Sequence, residues 1–383
     1  MLWARIIFWG SALALLYVYV GYPALLFLIA SLRKRHNPEP GYTPALSILI
    51  AACNEEGNIR QKLEQTVKLD YPPDKLEILV LSDGSQDGTD AIVADFPDPR
   101  VRLVRIPERR GKTNAQNEGV KQATGEVLVF SDATTIYHPQ ALKYLAANYQ
   151  DPAVGAVSGR YQYFDPKQDS PTGMGAIAFW NYENNIKTRQ SQISTLTGCC
   201  GCIYSVRKTA YTALAPDVIS DLVQPLWVIQ KGYRVVFEDR ALAYEQTTES
   251  TAEEFAMRVR VITRGMRGLL SVPDLLKLWK YPWIAFQLFS HKILRWMVSL
   301  FLLLLAVGNL ALMNQPYFRA FMVVQLCFYA VAALQVLVPL HRRWRPLGLP
   351  LYFCTLNAAA ILGAIDLLRG KKHVVWQPIR NKG

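Results

Sequence analysis

Histidine is scarce, with five in 383 residues, and cysteine is hardly commoner, with six. No histidine stands at zinc-ligand spacing from Cys53, Cys199, Cys200, Cys202, Cys327 or Cys354, which argues against a Cys/His metal module. Three of the six thiols crowd into one short loop. That is no disulfide framework, and reduced thiols in a cytosolic domain fit best. Their crowding suits a tight loop of small residues better than redox chemistry, which needs a perturbed environment. Glycine-rich phosphate loops are missing as well: neither GxGxxG after the first strand nor GxxxxGK[ST] occurs. Phosphates would then be held by a metal and basic side chains. No internal repeat is evident.

Charge of one sign is in excess, with a net charge of +12. A nucleic-acid binder is one reading of such a charge, but the positions argue against it. Arg33, Lys34 and Arg35 close one long apolar run, and Arg342, Arg343 and Arg345 follow another. Positive charge beside spanning helices marks the cytosolic side. Residues 6–32 nearly lack charge and are long enough to cross a bilayer. The run is too long for a cleaved signal peptide, and its basic cluster comes after it. It reads as a retained anchor (residues 1–32) with its N-terminus outside, followed by a proline-rich linker (33–44).

The middle of the chain alternates. Residues 45–53, 76–82, 101–106 and 126–131 read as strands, and 58–69 and 113–123 as helices. This pattern implies βαβ units and a parallel sheet. Residues 160–164, 202–207 and 233–238 read as further strands. Ligands of such sheets bind beyond the carboxyl ends of the strands. Glu55, Asp83, Asp132 and Asp221 stand at or near such positions or in short polar breaks, and a cluster of carboxylates at a sheet edge suits a hard divalent cation. Asp83 and Asp87 in SDGSQDGT equally fit turn or helix-cap roles.

Residues 252–280 mix Arg258, Arg260, Arg264 and Arg267 with apolar side chains, as a helix lying on a membrane surface would. Residues 281–296 continue in that style, with His291 and Lys292 expected at the interface. Residues 297–313, 318–340 and 347–368 are candidate spans. Three crossings would put the basic tail (371–383) outside, against positive-inside logic, so one of the three is expected to be re-entrant or interfacial. Asp366 lies near the end of an apolar stretch, either functional or reaching the headgroups.

The segments ILIAACNEE, LVLSDGSQDGT, GKTNAQNEG and GEVLVFSDA, followed in order by TGCCGCIYSVRK, SDL, GYRVVFE and RVRVITRG, resemble family 2 glycosyltransferases over roughly residues 45–268. The flanking helices resemble the branch that makes hyaluronan, cellulose and poly-N-acetylglucosamine. The tail around Trp376 is similar to tails in those synthases. The resemblance implies a GT-A fold, α/β with a Rossmann-like cytosolic domain (45–250), amphipathic interfacial helices (251–296) and C-terminal spans (297–370). It implies an integral protein of a bacterial-type inner or plasma membrane.

The resemblance also implies roles. Ala52, Glu55 and Asp83 would hold the nucleoside, Lys112 would approach the nucleotide, and Arg258 and Arg260 would hold the diphosphate. Asp132 would open a DxD motif for Mg²⁺ or Mn²⁺, and Asp221 would be the general base. Gly198, Cys199, Cys200, Gly201 and Cys202 would line the acceptor site. The implied partners are a nucleotide-sugar donor (expected to be UDP-linked), a saccharide or lipid-linked acceptor, membrane lipid, and export or assembly subunits, with no nucleic acid. Two departures stand out. Ala133 and Thr134 follow Asp132, so the second acid of DxD is absent. Val261 stands where polymerising relatives have a tryptophan, which argues against processive synthesis. The incomplete DxD motivates an alternative, a non-catalytic partner in an exopolysaccharide assembly. The soluble middle is too large and motif-rich for a transporter.

Overall fold

The computed structural model describes residues 2–34, 37–164, 171–246, 251–338, 340–342 and 344–375. The expectation on Trp376 lies outside them. Among the described residues eight strands form one mixed sheet: β1 (Leu46–Ala52), β2 (Leu76–Asp83), β3 (Val101–Ile106), β4 (Val127–Asp132), β5 (Ile136–Tyr137), β6 (Val154–Phe164), β7 (Ile203–Arg207) and β8 (Arg234–Gln246). Their order is β3-β2-β1-β4-β7-β6-β8-β5. The first four in space are parallel, with Leu46 opposite both Leu76 and Val127. β7 runs antiparallel to β4 and β6, whereas β8 is parallel to β6.

All seven residues of β1 are buried, as a strand covered on both faces must be. Its neighbours supply Ile78, Leu79, Val80 and Leu81 and Leu128, Val129 and Phe130 to the same core. The helix Lys112–Gln122 packs on this sheet at Gly119, where a Cβ would lie 2.5 Å from Leu81 Cδ2. β6 and β8 are longer than the sequence pattern indicated. Register shifts at Val154/Ala156 and Gly159/Arg160 break the period on which such a pattern depends.

Among the described residues three helices are long and apolar enough to cross a membrane: Leu2–Ser31, Pro316–Leu337 and Pro346–Leu368. A pair bent by 58°, Pro282–Trp296 and Val298–Leu310, would make a fourth. Gly308 lies against Ala4 and Phe8 at the start of the first helix, where a Cβ would sit 2.9 Å from Phe8 N. Leu312 and Phe318 join the same cluster.

The Pro346–Leu368 helix behaves differently. Tyr352, near its start, packs against Gly175 and Phe179 of the helix Pro171–Ile193. Further along, Gly363 O accepts a 3.2 Å bond from Thr263 Oγ1 of the helix Thr251–Leu270. Beyond its end, Arg267 donates to Lys371 O at 3.1 Å and Lys372 meets Asp217 at 3.8 Å. The tail then crosses Gly111, whose φ of +90° requires glycine and where a Cβ would lie 2.2 Å from Val374 O. The tail therefore sits on the same side as the sheet domain. Asp366 is paired there with His373 at 2.8 Å and Lys371 at 3.3 Å, a local tether between the helix and the segment that follows it.

Candidate active site

The strands deliver polar side chains to one cavity of about 1120 Å³, walled by the sheet edge, the helix Thr251–Leu270 and the apolar helices. β1 ends in a turn in which Asn54 takes a φ of +54°, a conformation asparagine tolerates better than most residues. Its Oδ1 accepts from Gln86 N at 2.7 Å, locking this turn to the one after β2. Glu55 follows, buried, with its N–H on Thr89 Oγ1 at 2.7 Å and its carboxylate on Asn58 at 2.8 Å. Asp87 caps Thr89 N–H at 3.1 Å, the cap role its spacing allowed.

Asp83 is not at the cavity wall. Its two oxygens accept from Arg110 N at 2.8 Å and Gly111 N at 2.7 Å. It braces the loop that leads into Lys112. Ala52 and Cys200 are likewise buried behind the lining residues. Of the residues expected at the site, the cavity brings together Glu55, Lys112, Asp132, Gly198, Cys199, Gly201, Cys202, Asp221, Arg258 and Arg260.

Lys112 begins its helix and reaches across to the carboxylate of Asp132 at the end of β4. It also approaches Gly201 O at 3.4 Å. Burial disfavours its charge, but the Asp132 carboxylate outweighs this and holds the ammonium above its usual range.

Asp221 lies in the first turn of the helix Ser220–Gln230. Its backbone oxygen accepts from Cys199 N at 2.8 Å, tying the cysteine loop to it. A Cβ on Gly201 would fall 2.7 Å from Asp221 Oδ2, so only glycine leaves room for the carboxylate. Asp221 Oδ1 has no hydrogen-bond partner among the described residues. Burial pushes its proton affinity above the usual carboxylate range, although Lys112, Lys187 and Lys292 pull the other way. Burial also holds the Cys199 and Cys202 thiols protonated. All three cysteines of the loop are buried and unpaired with one another, in line with a packing role.

Sequence reasoning missed Glu245. The hydroxyl of Thr134, at the position of the absent second acid, donates to Glu245 Oε1 at 2.7 Å. Tyr161 OH donates to its other oxygen. A carboxylate from β8 thus stands beside Asp132 where the motif itself offers none. Burial raises its proton affinity, and Asp132 adds to the effect. No local motif announces Glu245, because it lies 113 residues along the chain and reaches the site only through the pairing of β8.

The two arginines expected on the diphosphate differ. Arg258 is engaged: Nε donates to Glu254 at 2.8 Å, Nη2 to Tyr352 OH at 3.0 Å, and the guanidinium lies over the Phe179 ring. Arg260 has no carboxylate partner among the described residues, and burial lowers its proton affinity. Arg264, one turn on, bonds Thr113 Oγ1 at 2.8 Å and two carbonyls, and burial brings it down to about 10. Arg258, Arg260 and Arg264 line the cavity. His291 and Lys292, expected at the interface, also line the cavity.

Among the described residues no group of three or more His, Cys, Asp or Glu side chains is set to enclose a metal ion. What is present is Asp132 with Glu245 nearby. That donor set fits an ion such as Mg²⁺, which takes one or two carboxylates and completes its shell with substrate phosphates and water.

The model of the family described as "Glycosyl transferase family 2" matches residues 47–214, the span that carries β1 to β7 and Asp132. The chain carries a family 2 glycosyltransferase domain. Poly-beta-1,6-N-acetyl-D-glucosamine synthase of Staphylococcus epidermidis is 29% identical over 59% of this chain and 55% of its own. The protein of that name from Staphylococcus aureus is 27% identical over 63% and 59%. The chain thus spans little more than half the length of these curated relatives. A mannosyltransferase from Pyrobaculum calidifontis, solved with GDP-Man and Mn²⁺, superposes on the glycosyltransferase with a TM-score of 0.73 at 24% identity, over 95% of this chain and 99% of that one. The shared fold is GT-A, and it extends past the transferase domain into the apolar helices.

Proposed function

We propose that the protein is an inverting glycosyltransferase that moves a sugar from a nucleotide donor, UDP-linked by our reading, to a polysaccharide or lipid-linked acceptor at the membrane, with its catalytic domain in the cytosol. The observation that carries this reading is Asp221: a buried carboxylate with one unpartnered oxygen, facing the same cavity as Lys112 and Asp132. The poly-N-acetylglucosamine synthase relatives support a role in polysaccharide synthesis.

The nucleotide lies over the turns after β1 and β2, with Glu55 and Asn54 at its edge. Arg260 and Arg264 face the diphosphate and oppose the negative charge that grows on it as it leaves. Asp132, with Glu245 beside it, would hold Mg²⁺ or Mn²⁺, which supplies further charge neutralisation at the diphosphate. Asp221 Oδ1 takes the acceptor's proton as its oxygen attacks the anomeric carbon. General-base help of this kind is worth roughly 10²–10⁴-fold, and burial gives Asp221 the raised proton affinity a base requires. Attack from the face opposite the diphosphate inverts the anomeric centre.

The test is release of nucleoside diphosphate from a panel of nucleotide sugars by the protein in native membrane lipid, with Mg²⁺, Mn²⁺ or EDTA. We expect metal-dependent release with one donor, lost in Asp132→Ala and Asp221→Asn. No release with any donor, with lipid and oligosaccharide acceptors supplied, would overturn the reading in favour of a non-catalytic assembly partner.

A further inference from the structure

The helix Pro171–Ile193 carries a polar stripe. Glu183, Asn184, Lys187 and Gln190 recur at the spacing of one helical face, and all four are buried. Buried polar groups persist where they find partners, so the partners show what each one holds. Glu183 meets Arg295 at 2.7 Å and His291 Nε2 at 3.2 Å. Asn184 Nδ2 donates to Tyr161 O of β6 at 2.9 Å. Gln190 Nε2 donates to Tyr22 OH of the first apolar helix at 2.8 Å. These three fasten the helix to the sheet and to the apolar helices.

Lys187 reaches the cysteine loop instead. It stands at the cavity wall but is only 3% exposed. Its Nζ donates to Cys199 O at 3.2 Å and to Cys200 Sγ at 3.1 Å, and lies 5.1 Å from the centre of the Trp180 ring. Burial works against its charge, but Cys200 and Glu183 outweigh this and hold the ammonium above its usual range. What this compensated cation grips is the loop that carries the base. Cys199 N donates to Asp221 O at 2.8 Å, and Gly201 packs against the Asp221 carboxylate. Cys200 N donates to Ser158 Oγ of β6 at 2.9 Å. The loop is thus held between β6 and Lys187, and Asp221 is held by the loop. The other charged and titratable groups facing Asp221 are Lys112, Lys292, Arg264, Asp132, Cys199 and Tyr204. Of the cations among them, Lys112 is drawn to Asp132, Lys292 to Glu183 and Arg264 to Thr113. Lys187 directs both of its hydrogen bonds at the base's own loop.

We propose that Lys187 is a positioning residue for Asp221: it braces the cysteine loop from behind and through that loop fixes where the carboxylate stands, rather than binding a substrate itself. This rests on the transferase reading above and adds to it the residue that aims its base.

The test uses the full chain in native membrane lipid and follows nucleoside diphosphate release, across pH, from the donor that the panel above selects. The acid limb of the kcat profile reports the base in the loaded enzyme. Lys187→Met keeps the length and bulk of the side chain while removing its donors and its charge. It should lower kcat roughly 10–100-fold by misplacing the carboxylate. Lys187 holds the proton affinity of Asp221 down, so its loss should move the acid limb to higher pH by about half a unit or more. The donor KM should hold, and Lys187→Arg, which restores charge and donors, should bring the limb back. A lowered melting temperature in Lys187→Met with the limb in place would reduce Lys187 to core packing and overturn the proposal. So would a raised donor KM with kcat and the limb unchanged, which would make Lys187 a binding residue. Neither result would touch the transferase reading, which falls if the unaltered chain releases nothing from any donor.

Discussion

Asp221 is held in a state that suits catalysis more than stability. Its folded carboxyl has a proton affinity above that of the unfolded chain, so the unfolded state loses its proton first as pH rises. The folded protein is then penalised at neutral pH, and the penalty vanishes once both states are protonated. Asp221→Asn should raise Tm at pH 7.5 by roughly 2–4 °C, and differential scanning fluorimetry should show the gain shrinking as pH falls toward about 4. The same variant loses transfer activity. Arg258 and Arg260 should also separate. Removing Arg258 strips a buried ion pair from Glu254 and a bond from Tyr352, and Arg258→Met should cost ~3 kcal/mol of stability. Arg260→Met should leave Tm in place and raise the donor KM. Had both acted on the diphosphate alone, the two variants would look alike. The sequence shows two arginines at neighbouring positions. It does not show that Glu254 and Tyr352 take one of them, because Tyr352 arrives from 94 residues away.

At the scale of elements, the parallel half of the sheet was legible because β1, β2 and β4 are buried on both faces and read as continuous apolar runs. The helix Pro171–Ile193 was not. Its buried positions include Glu183, Asn184, Lys187 and Gln190, so buried polar residues disguise the helical stripe. His291 and Lys292 were misplaced for a related reason: a cation in an aromatic run looks interfacial, and the π-helical turn that swings it inward leaves no mark on the period. The cysteine loop shows how closely elements are fitted around the base. In Gly201→Ala the nearest atoms to the new methyl belong to the Asp221 side chain, Oδ2 at 2.7 Å and Cγ at 3.2 Å, and the carboxylate must rotate away. Stability should therefore change little, while kcat falls roughly 10–100-fold from misplacement of the carboxylate. Thermal melts and single-turnover rates of this variant would separate the two effects. A large drop in Tm with kcat retained would contradict the geometry.

At the scale of the whole molecule, contacts bear on the conflict between three apolar C-terminal segments and a basic tail. Gly308 against Phe8 and Leu312 beside Ala4 put the turn after Val298–Leu310 at the same end as the N-terminus. The Pro316–Leu337 helix then returns. The Pro346–Leu368 helix touches the sheet domain's helices at Tyr352 and again at Gly363, and its tail lies on Gly111 and Asp217. Both of its ends therefore lie against the sheet domain, and we propose that it is the candidate that does not cross. That proposal leaves three crossings: the first helix, the bent pair Pro282–Trp296 with Val298–Leu310, and Pro316–Leu337. They leave Arg33, Arg342, Lys371 and Lys372 on one side, as the positive-inside rule requires. Cysteines introduced at Leu2 and at Lys371 should then label oppositely with a membrane-impermeant maleimide. Leu2→Cys should react in intact cells, and Lys371→Cys only after the membrane is opened. Labelling of both in intact cells would mean that the last helix crosses after all, which would pull the tail off Gly111 and leave the loop braced by Asp83 without its cover.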